Sequence, residues 1–287
     1  RTVHRLEGGS VMAEWGPMRL LISSFVGKIS QREMNLRAAE EAFACLEGVA
    51  RLKEELRKPW NKERQYKKPR KMQEPLGNKM LESVQSVGDT ALTPMAAVAG
   101  TIADGVADFL FSRGMTKVIV NNGGDIAVRL MAPNSVRVGL REDVETEVIS
   151  RVISLMPSSE NARASFGIAT SGLGGRSLTC GIASAATVIA KTASLADAAA
   201  TAVANASFVD HPGVVRQPAE TIDPQTDIPG IPVTVQVQDL DPETRMEAIL
   251  RSLALAEKLV NQGTILGAMV VVDGECGMTS FLENHSL

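Results

Sequence analysis

With 287 residues, 44% of them hydrophobic and 22% charged, the chain can fill one duplicated domain or about two separate ones, and whole-chain disorder is excluded. Three scattered cysteines (Cys45, Cys180, Cys276) exclude a disulfide framework or zinc ribbon and point to a reducing compartment. Ten aromatic residues are too few for a base-stacking platform, and no apolar run approaches the roughly 18 residues of a membrane helix.

In chain order, Val11 to Phe25 reads as one or two strands interrupted at Gly16-Pro17. Ser30, with Glu33 three residues later, fits a capping box that opens a helix. That helix runs into a basic stretch. From Arg51 to Met72 ten Lys/Arg stand against three Glu, a local +7 inside a chain of net charge −3. Pro59 and Pro69 break helices there, so residues 51–80 are expected to form a basic surface segment or loop. It is either a solvated stretch or a landing patch for an anionic partner or a cofactor's phosphates. Thr93 as N-cap and Pro94 at the first helical position start a helix over 94–112, with Met95, Val98, Ile102, Val106 and Leu110 on one face and Gly114 closing it. Lys117 to Val120, the turn Asn121-Asn122-Gly123-Gly124-Asp125 and Ile126 to Leu130 predict a hairpin, and Val136 to Leu140 another short strand.

Phe166 to Thr170 is strand-like and ends in the small-residue loop Ser171-Gly172-Leu173-Gly174-Gly175. Ala186 to Thr192 is again strand-like, and Ser194 is expected to cap an alanine-rich helix, Leu195 to Ser207. Pro212 to Pro232 reads as a long irregular segment and Val233 to Val237 as a strand. Asp241 caps a helix that begins with Pro242 and ends at Gly263. Two closing strands, Leu266 to Val272 and Cys276 to Leu282, are joined by the favoured hairpin pair Asp273-Gly274. Hairpin turns cannot join parallel neighbours, and long helices lie between the strand groups, so the fold class is α+β.

Three loci offer chemistry. Asn121 to Asp125 pairs glycines, which let a backbone approach a ligand closely, with directional hydrogen-bonding side chains; an ordinary hairpin turn would use the same residues. Thr170 to Ser177 supplies hydroxyls, free N–H groups and Arg176, suited to phosphate or carboxylate, or else is merely a flexible loop. On the alanine-rich helix Asp197 and Thr201 stand four apart on one face, with room for a small hard cation such as magnesium. The alternative is an aspartate placed in a first turn by the helix dipole. His4, His211 and His285 neighbour no nucleophile in a recognisable motif, which argues against a triad hydrolase.

The segments TPMAAVAGTIADGVADFL, VIVNNGGDIAV, GIATSGLGGRSLTCGIASAATVIAKTASLADAAATAVAN and ETIDPQTDIPGIPVTVQV, in this order, resemble an uncharacterised bacterial and archaeal ApbE-like protein family related to the flavin transferases. The resemblance is strongest over Thr93 to Val237. It implies a single T-fold-related domain over 1–287, built by internal duplication, with mostly antiparallel sheets and packed helices. It also implies that Asn122, Gly123, Gly124, Asp125, Thr170, Ser171 and Gly172 contact a flavin (FAD or FMN) or other nucleotide-like ligand. Asp197 and Thr201, in the spacing Ala-Asp-x-x-x-Thr, would bind Mg2+.

One departure stands out. The flavin transferases carry a His-Ile-Ile-Asp-Pro-x-Thr-Gly segment before the magnesium helix, whereas the interval Leu173 to Leu195 holds no histidine. The string Asp223-Pro224-Gln225-Thr226 comes after that helix and lacks the glycine, so it is read as a turn. Three functions follow: a cytoplasmic protein binding a nucleotide-like small molecule with Mg2+, an active flavin transferase or FAD hydrolase, or a non-catalytic scaffold. No nucleic-acid or membrane partner is expected, and a homo-oligomer is left open.

Overall fold

The computed structural model describes residues 1–60, 75–141, 148–175 and 177–285. Its centre is a ten-stranded sheet in the order β1-β2-β3-β5-β6-β9-β10-β13-β14, with β4 added to β3. The strands are β1 (Thr2–Arg5), β2 (Val11–Trp15), β3 (Met18–Val26), β4 (Ile29–Ser30), β5 (Lys117–Asn122), β6 (Asp125–Met131), β9 (Arg163–Ser171), β10 (Ala185–Ala190), β13 (Gly267–Val272) and β14 (Glu275–Met278). Every pairing in it is antiparallel. The α+β expectation therefore holds.

The period-two alternation of the strands sorts their side chains onto two faces. Ala127, Ala169, Val188 and Val270 join the larger core, against the helices α1 (Arg32–Arg51), α4 (Val98–Ser112), α5 (Ala193–Ala206) and α7 (Pro242–Asn261). Their neighbours Val128, Ile168, Ile189 and Met269 face the smaller core. That second core is closed by the hairpin β7 (Val136–Leu140) and β8 (Arg151–Leu155) and by α8 (Ser280–His285). Strands β10 and β13 are buried along their whole length, which explains their nearly unbroken apolar sequences.

Several local expectations need correction. Ser30 does not cap α1. It lies in β4, paired with β3, and the N-cap is Gln31 with no side-chain hydrogen bond. Thr93 does accept from Met95 N–H, but the turn it caps is a 3-10 helix, Pro94–Ala97, that precedes α4. The cap of α5 is Thr192, whose hydroxyl accepts from Leu195 N–H, and Ser194 lies inside the helix. The stretch 212–232 is not irregular: β11 (Val214–Pro218) pairs with β12 (Pro232–Val237), and α6 (Ala219–Ile222) lies between. Residues 280–282 leave the last strand for α8.

Of the basic stretch, residues 61–74 lie outside the described residues; the short helix α2 (Lys53–Leu56) precedes them and α3 (Pro75–Val87) follows. Among the described residues one helix could span a membrane by length and composition, Pro94–Ser112 with mean hydropathy 1.3, and half of its apolar window is buried inside the fold. The hairpins at the sheet's turns form as expected. Asp273 and Gly274 both take positive φ, at 47° and 81°.

Candidate functional site

All three loci singled out in the sequence open onto one cleft of about 370 Å3, where β3, β5-β6, the end of β9, α4 and α5 meet. The size is near the lower end for a ligand site, commonly about 300–1,000 Å3. A larger depression of about 560 Å3 runs along Pro242 to Arg251, but it is lined by the side chains of one helix alone.

The turn after β5 places the first locus. Asn122 pairs with Asp125, leaving Gly123 and Gly124 as the two-residue loop with φ of 68° and 116°. Such values favour glycine at both positions. Gly124 N–H donates to Asn121 Oδ1 at 2.8 Å, which fixes the loop from within. Asn122, Gly123 and Asp125 line the cleft, while Gly124 sits at the exposed tip. The Asn122 side chain is buried and donates from Nδ2 to the Ala99 carbonyl at 3.2 Å. Its amide nitrogen thus ties the turn to the start of α4.

Thr170, Ser171 and Gly172 bring the second locus to the same cleft from the end of β9. Gly172 has φ of 133°, and a Cβ there would lie 2.7 Å from the Ala183 carbonyl oxygen. Thr170 Oγ1 shares a 2.8 Å hydrogen bond with Thr187 Oγ1. Three of the N–H groups expected to be free are taken: Leu173 donates to Ala183 O, Gly174 to Ser184 O and Gly175 to Gly172 O. At these three positions the loop offers shape rather than amide donors. Arg176 lies outside the described residues.

Helix α5 contributes Asp197 and Thr201. Thr201 Oγ1 donates to the Asp197 carbonyl at 3.1 Å, the i−4 bond a helical threonine makes, so its oxygen lone pairs remain for an acceptor role. Asp197 Oδ2 accepts from Gly100 N–H at 2.9 Å. Burial, and then the Asp125 carboxylate, push the Asp197 carboxyl well above the usual carboxylate range, against the Gly100 and Ala99 amides that pull it down. Among the described residues no lysine or arginine forms an ion pair with Asp197. Two carboxylates and a threonine hydroxyl around one space are hard oxygen donors that fit Mg2+, which keeps waters and takes one or two carboxylates. Among the described residues no group of three or more carboxylate, imidazole or thiolate side chains converges anywhere.

Two residues behind the cleft went unnoticed in the sequence. Asp104, fully buried on α4, accepts from Ala193 N–H at 3.1 Å and Ser194 N–H at 3.0 Å at the start of α5. It also pairs with Arg129 of β6 at 2.8 Å and with Lys79 of α3 at 3.1 Å. Burial raises the Asp104 carboxyl, but Lys79 and Arg129 more than offset it and hold it below its ordinary value. The signal was present: Asp104 and Asp108 stand four apart in an otherwise apolar helix, and Arg129 is the one cation in β6.

Asp223 to Thr226, the string that echoes the transferase segment, docks elsewhere. The Arg57 guanidinium donates to the carbonyls of Gln225, at 2.6 Å, and Thr226. Thr93 donates to Asp227. None of these residues lines the cleft, and no histidine does.

Comparison with known proteins bears on the family and the fold. A family model described as "AbpE bacteria" matches residues 2–278. A UPF0280 protein of Methanococcus aeolicus is 39% identical over 116 residues, which is 40% of this chain and 45% of the relative. A UPF0280 protein of Methanopyrus kandleri is 42% identical over 127 residues, 44% of this chain and 48% of the relative. The matches thus span about half the length of these curated relatives. Among solved structures, the apo flavinyl transferase ApbE of Pseudomonas stutzeri superposes with a TM-score of 0.53 at 13% identity, covering 99% of this chain and 96% of that one. The flavin transferase ApbE from Vibrio cholerae gives 0.51 at 12% identity, over 99% and 100%. At such identity the likeness is one of fold.

Proposed function

We propose, from the premise that the chain belongs to the AbpE bacteria family, that its cleft binds a flavin or another nucleotide-like ligand through Mg2+ held by Asp197 and Thr201. The observation that carries this reading is electrostatic. Asp197 and Asp125 line the same cleft, and burial and the Asp125 charge raise the Asp197 carboxyl. No described ion pair neutralises Asp197, which favours a cation at this carboxylate over a bare anion. Met18, Leu46, Val98 and Ile102 supply an apolar wall against which a flat ring can lie. Mg2+ in this position would neutralise phosphate oxygens and hold them in place. Asp125 would orient the remaining waters or the ligand's hydroxyls, and Thr170 and Ser171 would hydrogen-bond at the far rim.

Binding, rather than flavin transfer or FAD hydrolysis, is the reading the site supports best. The histidine-containing segment is absent from the sequence, and the Asp-Pro-Gln-Thr string is bound to Arg57 instead of the cleft. The same reading takes the protein as cytoplasmic and acting on a small molecule. The test is thermal stabilisation by FAD, FMN, ATP and GTP with and without Mg2+, in the wild type and in Asp197→Ala. A ligand at 100 times its dissociation constant adds about 2.7 kcal/mol, on the order of 5 to 10 °C here. The metal-dependent part should vanish in the variant. Equal shifts in both proteins would refute the metal assignment, and no shift with any nucleotide would favour a scaffold.

A further inference from the structure

We propose that Asp104, clamped by Arg129, is a positioning residue that fixes the metal-binding face of α5 in space. The proposal rests on the reading of Asp197 and Thr201 as metal ligands. Its geometry is a parallelogram between two helices. Gly100 and Asp104 lie one turn apart on α4, and Ala193 and Asp197 one turn apart on α5. Asp104 accepts the Ala193 and Ser194 amides, and Asp197 accepts the Gly100 amide.

Helix α5 does not need Asp104 merely to start. Thr192 already accepts from Leu195 N–H, and its carbonyl accepts from Ala196 N–H at 3.0 Å. What Asp104 adds is location, because it reaches α5 from a different helix and ends the slide of one against the other. Arg129 makes that contact rigid. Its Nη2 donates to Asp104, its Nε to Asp108 Oδ1 at 2.7 Å and its Nη1 to the Val128 carbonyl at 3.1 Å. The guanidinium thereby ties α4 to β6, the strand that begins at Asp125. Both sides of the metal site hang on one ion pair. A buried ion pair is seldom kept for stability alone, since apolar replacements of similar volume often do as well. Removing the outer partners of metal ligands commonly weakens affinity 10- to 100-fold.

The experiment uses the full chain with Mn2+ alone as probe, read by the spin resonance of free Mn2+. Variants are Asp104→Asn, Arg129→Lys and Asp197→Ala, with Leu259→Ala as a core substitution outside the cleft lining. Lysine preserves the charge of Arg129 but cannot bridge Asp104, Asp108 and Val128 at once. Expected are dissociation constants raised about tenfold or more in Asp104→Asn and Arg129→Lys, and unchanged in Leu259→Ala at comparable loss of stability. Amide exchange of the metal-free protein should quicken at 193–196 in the first two variants only. If Asp197→Ala abolishes binding while Arg129→Lys binds as the wild type does, the positioning role falls and the metal reading stands. If the wild type binds no Mn2+, the metal reading falls, and the amides then decide whether Asp104 pins α5. Unchanged protection at 193–196 in Arg129→Lys would overturn that too.

Discussion

Asp104 and Asp197 exchange helix ends: each carboxylate, from one of two packed helices, accepts backbone N–H groups at the start of the other, at 3.0–3.1 Å for Asp104 and 2.9 Å for Asp197. The two differ in what neutralises them. Asp104 has Arg129 and Lys79 at 2.8 and 3.1 Å, whereas the main charge acting on Asp197 is the like charge of Asp125. One carboxylate is neutralised by cations of the fold, and the other forms no ion pair among the described residues.

This contrast sets a pH dependence for Asp197→Asn. A carboxyl whose folded pKa is raised binds its proton more tightly when folded. Its contribution is complete below the unfolded value of about 3.9 and is lost as pH rises through the folded value. Asparagine has no such loss and can still accept from Gly100. Without divalent metal, Asp197→Asn should therefore gain stability relative to the wild type as pH is raised from about 4, reaching a plateau above the folded pKa of Asp197. Urea titrations across that range would show it. Parallel pH profiles would mean that the carboxyl is not strained by its surroundings.

Asp104 carries the opposite sign. Its carboxyl is held low, so its stabilisation is present above the unfolded value and disappears as pH falls through the folded one. Asp104→Ala should cost about 3 to 5 kcal/mol at pH 7, because it leaves the charge of Arg129, with 6% of its side chain exposed, buried with a half-exposed Asp108 as its remaining ion-pair partner among the described residues. The loss should shrink as pH is lowered. A cost below 1 kcal/mol would show that Asp108 and water suffice for Arg129.

Much of this was legible from the chain. The hairpins at Gly123-Gly124 and Asp273-Gly274 announce themselves because few residues accept positive φ twice in succession. Residues of the three candidate loci could be named from type and spacing, and they share a cleft. What the sequence hid was long-range or competitive. Ser30 looks like a cap, but its backbone is committed to the β3 ladder. Thr192 wins over Ser194 because its extended φ and ψ of −137° and 152° suit an N-cap. The prolines of 212–232 suggested disorder of pattern, yet Pro218 and Pro232 face each other at the end of a two-stranded ribbon, where a missing N–H costs little. The Asp104–Arg129 pair joins residues 25 apart, and spacing along one element cannot show it.

Close approach of the two helices depends on Gly100. A Cβ at that position would lie 2.2 Å from the Ala193 carbonyl oxygen, with backbone rather than a yielding side chain in the way. Gly100→Ala must therefore push α5 off α4, costing roughly 3 kcal/mol by the standard of overpacked cores. The denaturation midpoint should fall with an unchanged slope. Gly105→Ala on the same helix is the comparison, since its Cβ would meet only Cys45 Sγ and a Leu76 methyl at 3.2–3.3 Å. Equal losses in both would argue that helix contact at Gly100 is not the constraint.

Thr201 gives the cleanest test of the metal face. Asp197→Ala also removes the Gly100 contact, so a lost ligand response there mixes two causes. Thr201 has no such complication: among the described residues its hydroxyl bonds to the carbonyl of Asp197, one turn back on its own helix. Thr201→Val keeps the branched shape and removes the oxygen, and should change stability by less than about 1 kcal/mol at this partly buried position. If the oxygen ligates the cation, the Mg2+-dependent part of the nucleotide thermal shift should drop sharply in Thr201→Val. It should persist in Thr201→Ser, which retains the hydroxyl, and the metal-independent part should be the same in all three proteins. A valine variant that responds to Mg2+ as the wild type does would remove Thr201 from the site and leave the cation to Asp197 and Asp125.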